Sequence, residues 1–206
     1  MTLAYFSHAD CRAHFMGPGH PECPERLDAI NDHLIATGLT QVLDMREAPL
    51  ASMEAIARAH DAAYVGRLRN TIEPLAQSGE HCDIDADTSA GPGTWQAALR
   101  AAGAAVAATD AVMAGNAETA FCAVRPPGHH AEHQKPMGFC FFNNVAVAAR
   151  HALEVHGLQR VAVIDFDVHH GNGTEDIVAG DERILMASFF QHPLYPYSGS
   201  EPKGAN

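Results

Sequence analysis

The sequence predicts an α/β domain with layers packed on a mostly parallel central sheet, and three observations carry that prediction. First, the second half alternates short apolar runs with stretches at helical spacing: AFCAV at 120–124, NNVAVAARHALEVHG at 143–157, RVAVIDF at 160–166 and RILMASFF at 183–190. Second, the apolar runs are continuous rather than alternating, as strands buried on both faces are, and strand–helix–strand order calls for right-handed crossovers and parallel pairing. Third, 206 residues, 47% hydrophobic and 18% charged with no low-complexity tract, suffice for one sizeable core, so 1–206 is read as a single domain.

The elements follow in order. LAYF at 3–6 is the first expected strand, and the polar, Pro/Gly-rich segment after it reads as a loop. Pro24 and Glu25 open a helix with Leu27, Ile30, Leu34 and Ile35 on one face. A second helical region covers 52–70, and GEHCDIDADTSAGPG at 79–93 has the turn chemistry of a long, solvated loop. From Thr94 to Met113, small residues at helical spacing suit a helix lying close on a sheet. Asn at the start and Gly157 at the end bracket the helix at 143–157.

Charge narrows the function. Thirteen Lys and Arg against 25 Asp and Glu give a formal net charge of -12 with no basic stripe, which disfavours nucleic acid and suits a cationic substrate. Five cysteines without a Cys-x-x-Cys pair read as free thiols in a reducing compartment. The N-terminus lacks a basic, apolar leader, and the Ala-rich segment at 97–115 is broken by Arg100 and Asp110, so no membrane association and a cytoplasmic location are expected.

Chemistry concentrates at the ends of two predicted strands, where α/β sheets place their ligands. In VAVIDFDVHHGNGT, residues 161–174, Asp165, Asp167 and His169 occupy alternate positions, and continued extended geometry would point all three the same way. A carboxylate is costly to bury unpaired. Carboxylate oxygen and imidazole nitrogen are ligands of catalytic zinc, so Asp167 and His169 are candidate ligands and Asp165 a carboxylate that orients a histidine; a capped turn would also explain the pattern. In RPPGHHAEHQKPMGFCFFNN, residues 125–144, His129 and His130 follow another strand. One of them could take a proton from a metal-activated water and help to stabilise an oxyanion.

RPPGHH, GFCFFNN and DFDVHHGNGT, with GHPECPERL at 19–27, together resemble the histone deacetylase superfamily, including its class II-like members, bacterial deacetylase-like amidohydrolases and acetylpolyamine amidohydrolases. The resemblance runs along essentially the whole chain. It implies an arginase/deacetylase-like layered fold and a zinc-dependent amidohydrolase that removes an acyl group from an acylated lysine peptide or an acetylpolyamine. It also implies zinc on Asp167 and His169, His130 as general base, His129 as its electrostatic partner tied to Asp165, and Asn172 supporting His130 where some relatives carry Asp. Gly138 and Phe139 would bind substrate through a carbonyl and an aromatic tunnel wall, with Tyr195 either the opposite wall or an ordinary loop aromatic. Backbone oxygens around Asp165, His169, Ser188 and Phe189 would form a potassium site.

The same resemblance implies a third zinc ligand, an Asp, and a carbonyl-polarising Tyr beyond EPKGAN at 201–206. The chain is therefore expected to be a domain with its C-terminal part missing, cut in an exposed loop. The rival reading is a truncated, non-catalytic member that binds acylated amines or a partner. A binuclear hydrolase of the arginase type is disfavoured because one ligand cluster is visible. A homo-oligomer sharing rim loops is also conceivable. His133, His151 and His156 read as ordinary surface or half-buried histidines, Cys140 as a buried thiol, and His20 as part of the rim.

Overall fold

Leu3–Ser7 (β1) is the middle strand of a parallel trio, flanked by β2 (Leu43–Glu47) and β5 (Thr119–Cys122). A second parallel pair joins β6 (Val161–Asp165) to β7 (Ile184–Ser188) in the register Asp165 opposite Ser188. The helices are α1 (Glu25–Ala36), α2 (Met53–Ala57), α3 (Ala62–Ile72), α4 (Leu75–Ser78), α5 (Thr94–Met113), α6 (Asn144–Glu154) and α7 (Asn172–Val178). A two-residue ribbon, β3 (Cys82–Asp83) with β4 (Ser89–Ala90), interrupts the loop expected at 79–93. The structure is a computed structural model and describes residues 2–201, so most of the loop proposed as a cut site lies outside the described residues.

The long helix α5 packs as its composition predicts. Ala97, Ala101, Ala102 and Ala104 are fully buried, and at Gly103 an added Cβ would sit 2.0 Å from the Pro49 carbonyl oxygen, so only a bare backbone can approach this closely. One core cluster fills the space between α3, α5 and the aromatics Phe141 and Phe142; another joins α6 and α7 to β6 and β7. Asn143 caps α6 by accepting the Ala146 N–H at 2.9 Å, and Gly157, at φ +67°, turns the chain so that the Leu158 N–H reaches back to the Ala152 carbonyl.

Several sequence expectations are corrected. The helical region at 52–70 is two helices, because Ser52 caps α2 and Asp61 caps α3. Ile35, placed on the buried face of α1, is 65% exposed, while Leu27 is buried. Strand β2 and helix α7 were not anticipated: LDMRE has no continuous apolar run, and α7 opens within the polar HHGNGT motif. The strands expected to be buried are covered on one face among the described residues, since Val163 and Ile184 are buried while Phe121, Ile164 and Leu185 are exposed. Among the described residues, no helix is long and apolar enough to cross a membrane.

Candidate active site

Strand β6 ends at Asp165, and the chain then bends instead of continuing extended. Asp165 Oδ1 accepts the N–H of Asp167 at 3.1 Å, and Asp167 Oδ1 accepts the N–H of His169 at 2.8 Å. Two successive side-chain-to-backbone turns of this kind replace the pleat. The three side chains therefore do not share one direction. Asp165 turns inward to His129, while Asp167 and His169 meet at the rim, with Asp167 Oδ1 3.2 Å from His169 Nδ1.

The adjacent histidines stand ring to ring at 4.0 Å, each held by its own acceptor. His129 Nδ1 lies 2.9 Å from Asp165 Oδ2 and His130 Nδ1 lies 2.7 Å from Asn172 Oδ1. Asn172 also donates from Nδ2 to Glu132 Oε1 at 2.9 Å and to Met137 Sδ at 3.2 Å, which fixes the amide so that its oxygen faces His130. Both acceptors take an Nδ1–H, so Nε2 is the nitrogen each ring has left for the cleft. Burial, followed by the neighbouring His129, pushes the His130 pKa down to about 4, against the opposing pull of Asn172, and leaves the ring neutral near pH 7. Burial pushes the Asp165 carboxyl up, but the hydrogen bond and charge of His129 outweigh it and hold Asp165 ionised below its usual range.

The wall of the site is a strained turn. Gly138 has φ +56°, and an added Cβ would meet the His130 ring at 2.4 Å; Phe139 follows at φ +70°, where a side chain is unusual. Asp87 Oδ1 accepts the Gly138 N–H at 3.0 Å and Thr88 Oγ1 accepts the Phe139 N–H at 3.1 Å, so residues from the ribbon loop pin this turn. The Gly138 carbonyl, expected to bind substrate, already accepts from the Cys140 thiol at 3.2 Å. His20 packs edge-on against Phe139 at 4.6 Å. Tyr195 packs edge-on over His130 at 5.0 Å; its hydroxyl is enclosed beside Asp87, and burial together with that carboxylate pushes its pKa up.

These groups line a cleft of about 440 Å³: Phe139 and Tyr195, the two histidines, Asp167 and His169, with Asp87 adding a carboxylate and the ion-paired Glu22 and Arg26 also on the wall. Glu22 is held from beneath by Arg125, a fully buried guanidinium whose Nε and Nη2 each lie 2.6 Å from its carboxylate. Arg125 Nη1 also donates to the carbonyls of Cys11 and His14, fastening the N-terminal loop to the floor.

Of the residues singled out in the sequence, His129, His130, Asp167, His169, Gly138, Phe139 and Tyr195 line the cleft, and Asp165 and Asn172 stand behind the two histidines. At the proposed potassium site the structure brings Asp165 beside Ser188 and Phe189, with the Asp165 carbonyl accepting the Phe189 N–H at 2.8 Å. Sequence reasoning missed Glu22 and Arg125, and it read Asp87 as more at home in a solvated loop. The ribbon formed by Cys82–Asp83 and Ser89–Ala90 carries Asp87 back over the site, and only its spacing from Thr88 could have hinted at this.

Asp167 and His169 have the chemistry of zinc ligands and meet in the cleft. Among the described residues, however, the group of three potential ligands within 4.8 Å of one another is Asp110, His151 and His156, elsewhere in the fold. His151 and His156, read from the sequence as ordinary histidines, thus both approach Asp110.

The family model for the histone deacetylase domain matches residues 20–205. The chain belongs to the histone deacetylase family. Among curated relatives of this deacetylase-family chain, the histone deacetylase-like amidohydrolase of Pseudomonas aeruginosa is 44% identical over 188 residues, covering 90% of this chain and 48% of that protein. The polyamine deacetylase HDAC10 of Homo sapiens is 38% identical over 201 residues, covering 93% and 29%. A solved HDA15 HD domain superposes with a TM-score of 0.91 at 31% identity, covering 100% of this chain and 58% of that one, which establishes the deacetylase fold. The chain spans about half the length of the first of these relatives.

Proposed function

We propose that this chain carries the proton-transfer half of a zinc-dependent deacetylase acting on an acylated lysine peptide or an acetylpolyamine. The observation that carries the reading is the pair of neighbouring histidines with Nδ1 committed to Asp165 and Asn172, of which the neutral His130 has Nε2 available as a base, at the floor of a cleft walled by Phe139 and Tyr195. The names of the two relatives, an amidohydrolase and a polyamine deacetylase, support it.

Asp167 and His169 would be two ligands of a zinc ion, which when bound supplies Lewis acidity to the acyl carbonyl and to water. His130, neutral and held by Asn172, takes the proton of the attacking water at Nε2. His129, paired with ionised Asp165, steadies the charge that develops on its neighbour, and the proton is passed on to the leaving amine. Phe139 and Tyr195 would grip the aliphatic stem of the acylated amine and exclude water. The Asp87 carboxylate and the acidic net charge favour a cationic substrate, and backbone oxygens at the ends of β6 and β7 are the candidate potassium ligands.

The test pairs elemental zinc analysis with acetyl-lysine and acetylpolyamine hydrolysis on the chain and its Asp167→Ala variant. Zinc bound in the cleft and turnover lost in the variant support the reading. A folded chain that retains acylated amines in equilibrium dialysis without hydrolysing them supports the non-catalytic alternative instead.

A further inference from the structure

Away from the cleft, two histidines converge on one carboxylate oxygen. Asp110 lies in the last turn of α5, His151 on α6 and His156 just after it; His151 Nε2 is 2.6 Å and His156 Nε2 2.7 Å from Asp110 Oδ1. Thr94, at the other end of α5, bonds His14 on the cleft side of the molecule, and the sixteen residues from Thr94 to Asp110 span about 24 Å of helix. The cluster is thus at the amino ends of the strands, too far from Asp167 and His169 to make a binuclear centre.

We propose that Asp110, His151 and His156 form a binding site for a borderline divalent metal ion of the zinc type, separate from the cleft. Two imidazoles and one carboxylate select zinc-like ions over magnesium or calcium, which prefer oxygen alone. Three protein ligands leave a position for water, and Asp110, 51% exposed at its side chain, opens the site to solvent. All the candidate ligand atoms already lie within 4.8 Å of one another. Ligand bonds of about 2.0–2.2 Å would require the oxygen to withdraw from the nitrogens by less than about 1 Å, a small torsional change for a half-exposed Asp.

The surroundings suit a cation with one exception. Arg58 Nη1 stands 3.5 Å from His151 Nδ1, which must carry the ring proton when Nε2 binds metal. Glu54 at 2.8 Å and Glu154 at 3.6 Å already hold that guanidinium and can draw it aside. The bound ion would clamp α5 to α6 and to the turn at Gly157.

Calorimetric zinc titration of the His169→Ala chain, in which the cleft has lost a ligand, tests the site independently of any hydrolytic activity. Asp110→Asn is the informative second change, because the amide oxygen still accepts from both imidazoles while the anionic ligand is gone. The expected result is one zinc equivalent bound by the His169→Ala chain and affinity reduced by about tenfold or more when Asp110→Asn or His156→Ala is added. Cobalt in place of zinc should give the visible absorption of a four-coordinate site, lost in the same variants. Isotherms and spectra unchanged by Asp110→Asn and His156→Ala, in proteins whose circular dichroism matches the parent, would overturn the proposal.

Discussion

The molecule holds two pairs of histidines with contrasting wiring. In the cleft, His129 and His130 each have a separate acceptor on Nδ1, so neither shares its hydrogen bond with the other. Behind the sheet, His151 and His156 spend their Nε2 atoms on the same oxygen of Asp110. On the proposals made above, the first arrangement would move a proton, and the second would turn its two Nε2 atoms and the shared oxygen to a cation. Residue type alone does not distinguish them, and neither does proximity. The decisive difference is whether the acceptor is shared.

The strongest way to break the comparison is to remove the base. His130→Ala should lower kcat/KM for acetylated substrate by about 100- to 10,000-fold, the range of a general base. His156→Ala, in the other pair, should leave it within about twofold because it touches nothing in the cleft. Equal losses from the two variants would mean that they share a structural role and would undo the functional distinction.

Burial without a carboxylate partner of its own gives a third state. His14 donates to or accepts from Thr94 at 2.9 Å, and the nearby Glu22 is engaged by Arg125; His60 Nε2 accepts the Asn143 N–H at 2.8 Å. Burial drives the two pKa values from 6.5 down to about 3 and about 4, so both rings are neutral when folded. Above pH 6.5 neither folded nor unfolded chain protonates them and their stability contribution is whole. As pH falls below that, the unfolded chain takes up protons that the folded chain refuses, and stability drops by about 1.4 kcal/mol per pH unit for each ring. Urea midpoints between pH 7 and 5 check this; a flat profile would contradict the buried, neutral assignment.

How much of this was readable in the sequence depends on the range of the interaction. The parallel α/β order, the α5 and α6 helices and the cleft residues at 129–130, 138–139 and 165–172 followed from local patterns and the family motifs, and the structure assembles them. The bend after Asp165 did not follow, because an Asp that accepts the N–H two residues on breaks the very alternation that suggested a strand. Asp87 and Arg125 escaped for another reason: their partners, Gly138 and Glu22, lie 51 and 103 residues away. The Asp110 cluster escaped likewise, since it joins two helices whose sequences give no sign of meeting at those positions.

Two glycines sharpen the contrast further. Gly138→Ala must hold a side chain at φ +56° and place a Cβ 2.4 Å from the His130 ring, whereas Gly157→Ala at φ +67° meets nothing within 4 Å. The first should cost about 2 kcal/mol and reduce turnover by displacing His130; the second should cost about 1 kcal/mol, the conformational term alone, with turnover intact. Thermal denaturation and steady-state rates on the two variants separate the terms, and a similar rate loss in both would mean that crowding against His130 is not what Gly138 avoids.

The smallest effect expected is the most discriminating for the rear pair. Without metal, Asp110→Asn should change stability by no more than about 0.5 kcal/mol, because the carboxylate is half exposed and its amide replacement accepts the same two Nε2–H donors. With saturating zinc, the parent should gain stability that the variant does not, since only a ligand bound to the folded form shifts the unfolding equilibrium. A variant already destabilised in the presence of chelator would assign Asp110 a structural task, with the two histidines held there for packing; a difference that arises only on adding zinc places the purpose of the cluster in the ion.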